Sequence, residues 1–153
     1  PELKIQEKPS FSDFKRSAIT QFLKKASLRI KAYQPSCIVS AAVKPNIYNA
    51  RNTFGQEWDL WLTAGYIDWA VPMNYTGNNQ LFDNNLQIIS DNIPKKYIEQ
   101  IIMGIGAYNQ NPRSTGQKIY RVGKSNFGGI SIFSYTVFKN NPSYANQIIE
   151  YLK

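Results

Sequence analysis

The chain has 153 residues, a formal net charge of +8 and a hydrophobic content of 42%. This length suits one domain with a moderate core, and the composition excludes disorder as the default state. With no histidine and a single cysteine, Cys37, the chain excludes disulfide frameworks, zinc centres built from Cys and His, and Ser/His or Cys/His catalysis within itself.

Two partner classes are also disfavoured by the sequence. The basic residues are scattered, which indicates a solvated surface rather than a nucleic-acid interface. Gly104-Ile105-Gly106 lacks the third glycine of a phosphate-cradling motif, and we expect neither a nucleic-acid partner nor a cofactor. No apolar stretch approaches the roughly 20 residues needed to span a bilayer, so no membrane span is expected.

Helices and strands are predicted to alternate in chain order. Residues 12–33 form a long helix with one apolar stripe of Phe14, Ala18, Phe22, Ala26, Ile30 and Tyr33. A first strand over residues 37–43 opens with Cys37, expected to be a small buried residue. A helix over about 53–64 and a second strand over 67–75 come next.

The second half repeats the same alternation. A helix is predicted between residues 81 and 93, a strand over 101–108, and a short helix from Ser114, as its cap, to about 124. A fourth strand over 129–135 and a closing helix over 143–152 complete the chain. Strands that recur every ~30 residues with helices between them predict an α/β fold of four parallel βα units.

Residues 55–76, GQEWDLWLTAGYIDWAVPMNYT, are the most informative stretch. An amphipathic helix is predicted to end there at Gly65, because glycine readily adopts the left-handed conformation that terminates a helix. The strand that follows is apolar enough to be covered on both faces, as in parallel sheets. Its carboxyl end, where α/β folds carry their functional groups, delivers Asn74, Tyr75 and Thr76. We expect the core to contain Trp58, Trp61 and Trp69.

This stretch resembles the family-10-like glycosyl hydrolases, whose barrels carry the same order of Gly-Gln, Trp, Trp, Gly-(Ile/Val)-Asp-aromatic and Pro-Met-Asn-Tyr. Segments 40–45, 103–108 and 128–135 look like later barrel strands of that family. The resemblance implies a single partial (β/α)₈ barrel domain, equivalent to strands five to eight of a TIM barrel. It also implies a glycan substrate, with bacterial cell-wall glycan as the class, and an extracytoplasmic location.

A full barrel needs eight strands and typically about 250 residues, so the resemblance makes this chain the C-terminal half of one. The family's acidic strand with a Tyr-Arg-Tyr-Pro-like tip has no counterpart here. We therefore expect a partner, either an N-terminal half-barrel or a second copy of the chain. The first and fourth strands are then the open edges of the sheet.

Glycoside hydrolysis usually needs two carboxyl groups about 5–9.5 Å apart. The chain has ten acidic residues, and none is predicted at the carboxyl tip of a strand. Asp68 and Glu99 precede strands, on the face of a barrel that serves stability. Glu2 and Glu7 would border a site only if another strand preceded them. The catalytic residues are therefore unknown, and the pair is expected outside this chain.

The strand tips instead carry amides and aromatic rings. Such side chains suit sugars, because rings stack on the C–H face of a sugar and amides bond its hydroxyls. The candidate binding residues are Asn46, Asn74, Tyr75, Tyr108 and Tyr135. The same residue types are common in loops and can serve only to turn the chain.

Two functions stay open at this point. The first is the sugar-binding wall of a glycoside hydrolase-like barrel whose acid lies elsewhere. The second is a non-catalytic glycan-binding or interaction domain without the acidic half. A third reading, a basic nucleic-acid-binding module, has only the net charge in its favour.

Overall fold

The computed structural model of the chain describes residues 10–153 as one parallel sheet with helices against it. The strands are β1 (Ser40–Val43), β2 (Trp69–Asn74), β3 (Ile102–Gly106) and β4 (Gly129–Phe133). The helices are α1 (Phe11–Tyr33), α2 (Ile47–Phe54), α3 (Trp58–Thr63), α4 (Asn79–Asn92), α5 (Pro112–Gly123), α6 (Tyr135–Asn140) and α7 (Ser143–Leu152), with a 3-10 helix at Lys95–Gln100. The predicted α/β class and half-barrel set of four parallel strands are confirmed.

The strands lie in sequence order, β1-β2-β3-β4, and all three pairings are parallel. Asn74 of β2 pairs with Ile105 of β3, and Gly106 of β3 pairs with Phe133 of β4. The carboxyl ends of β2, β3 and β4 therefore meet along one side of the sheet. Strands β1 and β4 are the sheet edges within the described residues, as predicted.

Helix α1 packs through a different stripe from the apolar one in its sequence. It begins at a capping box between Ser10 and Asp13 and contacts the core through Ile19 and Leu23, with Ser27 buried. Phe14 and Phe22 of the predicted apolar stripe are 63% and 73% exposed. Helix α1 thus has two apolar faces, and the core described here uses one of them.

Residues 47–63 form two helices, α2 and α3, whereas the sequence predicted one helix over about 53–64 and missed most of α2. Gly55, with a φ of 67°, ends α2, and the chain turns into α3 after it. A side chain at Gly55 would be strained at this φ and would lie 3.2 Å from Ile19. The second left-handed glycine, Gly65, follows α3 as predicted.

Within residues 10–153, the helices cover one face of the sheet and leave the other face without a helical layer. In β2 the residues Ala70, Pro72 and Asn74 are buried, whereas Trp69 is 40% exposed on the alternate face. The expectations of a strand covered on both faces and of a core Trp69 were therefore wrong, because the part of the chain that the structure describes supplies one layer of helices. The main core, between sheet and helices, includes Trp58, Trp61, Leu62, Phe82, Ile89, Met103 and Ile105.

Smaller differences occur at element ends. Tyr135 begins α6 and does not extend the fourth strand, and the peptide bond between Phe133 and Ser134 is cis. Asn111, not Ser114, caps α5: its Oδ1 accepts a 2.8 Å hydrogen bond from the Ser114 backbone N–H. Cys37 is partly exposed rather than buried. Within residues 10–153, no helix is long and apolar enough to cross a membrane.

Candidate functional site

A cavity of about 510 Å³ opens at the carboxyl ends of β1, β2 and β3. Four of the five candidate residues line it, namely Asn46, Asn74, Tyr75 and Tyr108. The wall is completed by Lys44, Pro45, Asn49, Met73, Thr76, Leu81 and Asn85. Tyr135 does not line this cavity; it lies at the start of α6 and is 77% exposed.

Asn74 is committed to the fold at both ends of its amide. Its Oδ1 accepts a 2.9 Å hydrogen bond from Asn85 Nδ2, and its Nδ2 donates a 3.1 Å bond to the Phe82 carbonyl. All three groups are buried, so the pair joins β2 to α4 under the cavity. Asn74 shapes the cavity floor more than it offers a free polar group.

Asn46 caps the start of α2 at the cavity wall. Its Oδ1 accepts a 3.0 Å hydrogen bond from the Asn49 backbone N–H, which satisfies one of the free amides at the helix start. That bond does not involve the carboxamide nitrogen. An asparagine holding this conformation can donate from Nδ2 to an oxygen placed in the cavity.

Three aromatic rings meet at the carboxyl ends of β2, β3 and β4. The rings of Tyr75 and Phe133 stack, with centroids 5.2 Å apart and planes 10° apart. Tyr108 meets both edge-on, with its centroid 6.3 Å from that of Tyr75 and 5.9 Å from that of Phe133. We call these three residues the aromatic cluster. Phe133 and Tyr108 are about half exposed, so much of the cluster faces solvent.

Two glycines of β3 make room for the Tyr75 ring. A Cβ at Gly104 would lie 3.0 Å from Tyr75 Cε1 and 2.7 Å from the Pro72 carbonyl oxygen. A Cβ at Gly106 would lie 3.1 Å from Tyr75 Cβ. Tyr75 can therefore reach across β3 to Phe133 only because both positions lack a side chain.

The Tyr75 phenol is neutral at ordinary pH. Burial raises its pKa, and the neighbouring Tyr108 phenol raises it further. A neutral phenol both donates and accepts hydrogen bonds, which suits sugar hydroxyls better than a phenolate does.

The loops that follow β2 and β3 are tied together behind the aromatic cluster. Asn109 Nδ2 donates a 2.7 Å hydrogen bond to the Tyr75 carbonyl. The buried Lys118 of α5 donates from Nζ to the Thr76 carbonyl and, over 2.5 Å, to Gln110 Oε1. Burial lowers the pKa of Lys118, helped by Arg121 and opposed by Asp83.

No acidic residue between positions 10 and 153 lines the cavity. Several of them hold structural contacts instead. Asp68 accepts a 2.7 Å bond from the Val39 backbone N–H and forms a 2.7 Å ion pair with Lys31, and Asp59 pairs with Arg51 at 2.6 Å. Glu2 and Glu7, considered above as possible border residues, lie outside the described residues.

Sequence reasoning missed Phe133 and Lys118. A signal for Phe133 was available, since it ends the strand next to the one that delivers Tyr108. Lys118 carried no signal of its own, because an isolated lysine on a helix is usually solvated. Its burial depends on where the two loops fold back over α5.

Comparison with known proteins places the chain in a family. No curated protein matched it. The sequence model described as glycosyl hydrolase-like 10 matches residues 2–122. That range spans most of the chain and includes the β2 tip, the cavity and Lys118. The chain therefore belongs to the glycosyl hydrolase-like 10 family.

Proposed function

We propose that this chain forms the sugar-binding wall of a glycoside hydrolase-like barrel. The observation that carries the proposal is the half-exposed aromatic cluster beside a cavity rich in amides, at the carboxyl ends of parallel strands. Sugar rings present an apolar C–H face and a polar rim of hydroxyls. A wall with flat aromatic rings next to amide donors and acceptors complements both.

The candidate residues take different parts in this proposal. Tyr75, Tyr108 and Phe133 stack on sugar rings, and Asn46 donates to a hydroxyl. Asn74 acts indirectly, because its own hydrogen bonds to Phe82 and Asn85 hold the cavity floor. Tyr135, two residues after Phe133 and highly exposed, is proposed as an outer contact for a longer oligosaccharide.

The catalytic carboxylates are proposed to lie outside the cavity wall that this chain supplies. Hydrolysis of a glycosidic bond usually needs two carboxyl groups flanking that bond. The acidic residues between 10 and 153 do not line the cavity, and those described above stabilise helix ends and strand starts instead. A second half-barrel would have to bring the acid and base to the same site.

A partner for the open side of the sheet is part of the same proposal. Strands β1 and β4 are edges, Trp69 is exposed on the open face, and Phe14 and Phe22 are exposed on α1. Exposed strand edges and apolar faces favour association. We propose that an N-terminal half-barrel, or a second copy of the chain, covers them. A monomer by light scattering, with both edges unprotected in hydrogen exchange, would argue against this.

A non-catalytic glycan-binding domain is the second candidate function. It is favoured by the lack of any acidic side chain on the cavity wall within the described residues. The two candidates share the sugar contacts and differ only in turnover.

Two measurements on the purified chain test these functions. In a calorimetric titration, we expect binding of chitin- or peptidoglycan-derived oligosaccharides and no comparable binding of a DNA oligomer. Binding of the DNA alone would overturn the proposal. Hydrolysis of the bound glycan is then assayed with the chain alone and with the proposed half-barrel partner: turnover only in the complex supports the first function, and none in either supports the second.

A further inference from the structure

Lys118 is a buried cation whose described hydrogen-bond acceptors are both uncharged. Its side chain is fully buried in α5, and its Nζ donates to the Thr76 carbonyl and to Gln110 Oε1. The ammonium also lies 5.2 Å from the centre of the Phe82 ring. Removing a lysine from water is costly unless its donors are used, so the two hydrogen bonds of Lys118 are needed to keep the ammonium buried here.

The two acceptors belong to the loops that carry Tyr75 and Tyr108, two of the three residues of the aromatic cluster. Thr76 directly follows Tyr75, and Gln110 comes two residues after Tyr108. The 2.7 Å bond from Asn109 to the Tyr75 carbonyl links the same two loops at a second point. One ammonium group therefore fixes the backbone after β2 and the side chain after β3 at once.

The charged neighbours of Lys118 are Arg121, on its own helix α5, and Asp83, on α4. Arg121 of α5 lowers the Lys118 pKa and Asp83 of α4 raises it. Arg121 and Asp83 also form an ion pair with each other, with 3.4 Å between Arg121 Nη1 and Asp83 Oδ2. Asp83 is therefore shared, and the direct partners of the Lys118 ammonium are the two loop oxygens. The arrangement is that of a clamp between loops rather than of a surface ion pair.

We infer that Lys118 is a positioning residue of the glycan site, which sets the relative placement of Tyr75 and Tyr108. The effect of Lys118 on sugar binding rests on the proposed function, since only a bound sugar makes that placement useful. The coupling of the two loops by Lys118 does not depend on that function. The loops after β2 and β3 should loosen together when the ammonium is removed, whether or not a sugar is present.

The test compares Lys118→Met with Lys15→Met in the full chain. Methionine keeps the apolar stem of Lys118 and removes its donors. Lys15 is a matched control, because its Nζ also donates to a backbone carbonyl, that of Thr53 at 2.6 Å, away from the cavity. Both variants are followed by hydrogen exchange, by ¹⁹F NMR of fluorotyrosine-labelled protein, and by calorimetric titration with chitotetraose.

For Lys118→Met we expect faster exchange confined to residues 75–80 and 108–113, and displaced Tyr75 and Tyr108 resonances. Affinity for chitotetraose should fall about tenfold, because Tyr75 and Tyr108 would then have to be ordered at the moment of binding. Lys15→Met should change none of these. Should Lys118→Met fail to fold, Gln110→Glu keeps an acceptor for the Lys118 ammonium and removes the amide donor to the Gly106 carbonyl, whereas Gln110→Met removes both. Faster exchange of residues 108–113 in Gln110→Met beyond that in Gln110→Glu then reports the contact with Lys118.

Unchanged exchange in both loops, or a uniform increase over the whole chain, would overturn the inference. If the unmodified chain does not bind chitotetraose and the loops still loosen in Lys118→Met, the clamp stands and it is the proposed sugar site that fails for this probe. Local loosening with no loss of affinity for a ligand that does bind would show that Lys118 serves the fold and not the site.

Discussion

The ring of Tyr75 stacks on that of Phe133, with centroids 5.2 Å apart, although Tyr75 directly follows β2 and Phe133 ends β4, two strands that are not neighbours. Strand β3 lies between them, and the Tyr75 ring can cross it because Gly104 and Gly106 have no side chains in its path. The contact therefore joins three strands at their carboxyl ends. It also defines a flat apolar surface at the place where ligands bind in parallel α/β folds.

Replacing Phe133 by Ala should weaken glycan binding without unfolding the chain. Phe133 is about half exposed, and an aromatic contact contributes about 1 kcal/mol beyond its buried area, so we expect at least a roughly fivefold loss of affinity. Titration calorimetry measures it. Tyr120→Ala is the control, since Tyr120 is comparably exposed on α5 but contacts neither the cavity wall nor the aromatic cluster to which Phe133 belongs. Equal losses in both variants would count against a specific role for Phe133.

Gly104→Ala should destabilise the fold. The new methyl group would lie 2.7 Å from the Pro72 carbonyl oxygen, a backbone atom that cannot rotate away. Overpacking of this kind costs about 1–3 kcal/mol. Denaturant unfolding should show that loss, whereas Gly123→Ala, with no atom within 4 Å of the added carbon, should be close to neutral. A stable Gly104→Ala protein would mean that β2 and β3 are farther apart than described.

Asn74→Ala should lower stability more than it lowers affinity. The change leaves Asn85 and the Phe82 carbonyl buried without their partner, and such groups cost about 1–3 kcal/mol each. Thermal unfolding should register the loss. Asn84→Ala, an exposed neighbour on α4, should be nearly silent. A wild-type melting temperature in Asn74→Ala would show that the hydrogen bonds of Asn74 do not stabilise the cavity floor.

Asp68 should contribute to acid sensitivity. Burial opposes ionisation, but hydrogen bonds from Lys31 and the Val39 amide outweigh it and hold the Asp68 pKa below its usual range. A folded-state pKa below the unfolded value gives stability that is present at neutral pH and lost as the pH falls through that lowered pKa. Asp68→Asn should therefore lose stability at neutral pH and lose less of it on acidification.

Asp91→Asn provides the comparison for this pH profile, because Asp91 accepts its hydrogen bond from Gln87 within its own helix. Its unfolding free energy is measured over the same pH range as that of Asp68→Asn and the wild type. Identical acid profiles for the wild type and Asp68→Asn would show that Asp68 is not responsible.

The sequence predicted strands better than it predicted faces. Each strand was found because a short apolar run ends at a turn or a polar tip, as at Asn74, and that signal is local. The open face of the sheet was not predictable in this way. Trp69 belongs to an apolar run that is typical of a strand covered on both faces of the sheet. It is exposed because the described residues supply no second layer over that face.

The stripe on α1 shows the same limit. Phe14 and Phe22 recur at helical spacing, and periodicity predicts an apolar face without stating which partner covers it. Helix α1 packs through Ile19 and Leu23 instead. The place of Tyr75 and Tyr108 in the cavity wall could be predicted from strand ends, but the burial of Lys118 could not, since its hydrogen-bond acceptors lie in loops distant in sequence.

The most direct test is a ¹⁹F NMR titration of the fluorotyrosine-labelled chain with chitin- and peptidoglycan-derived oligosaccharides, with resonances assigned by Tyr→Phe variants. If the aromatic cluster binds sugar rings, the Tyr75 and Tyr108 signals should shift in a saturable way while that of Tyr120 stays in place. No saturable shift with any of these glycans, or shifts confined to other tyrosines, would contradict a sugar-binding wall at this end of the sheet.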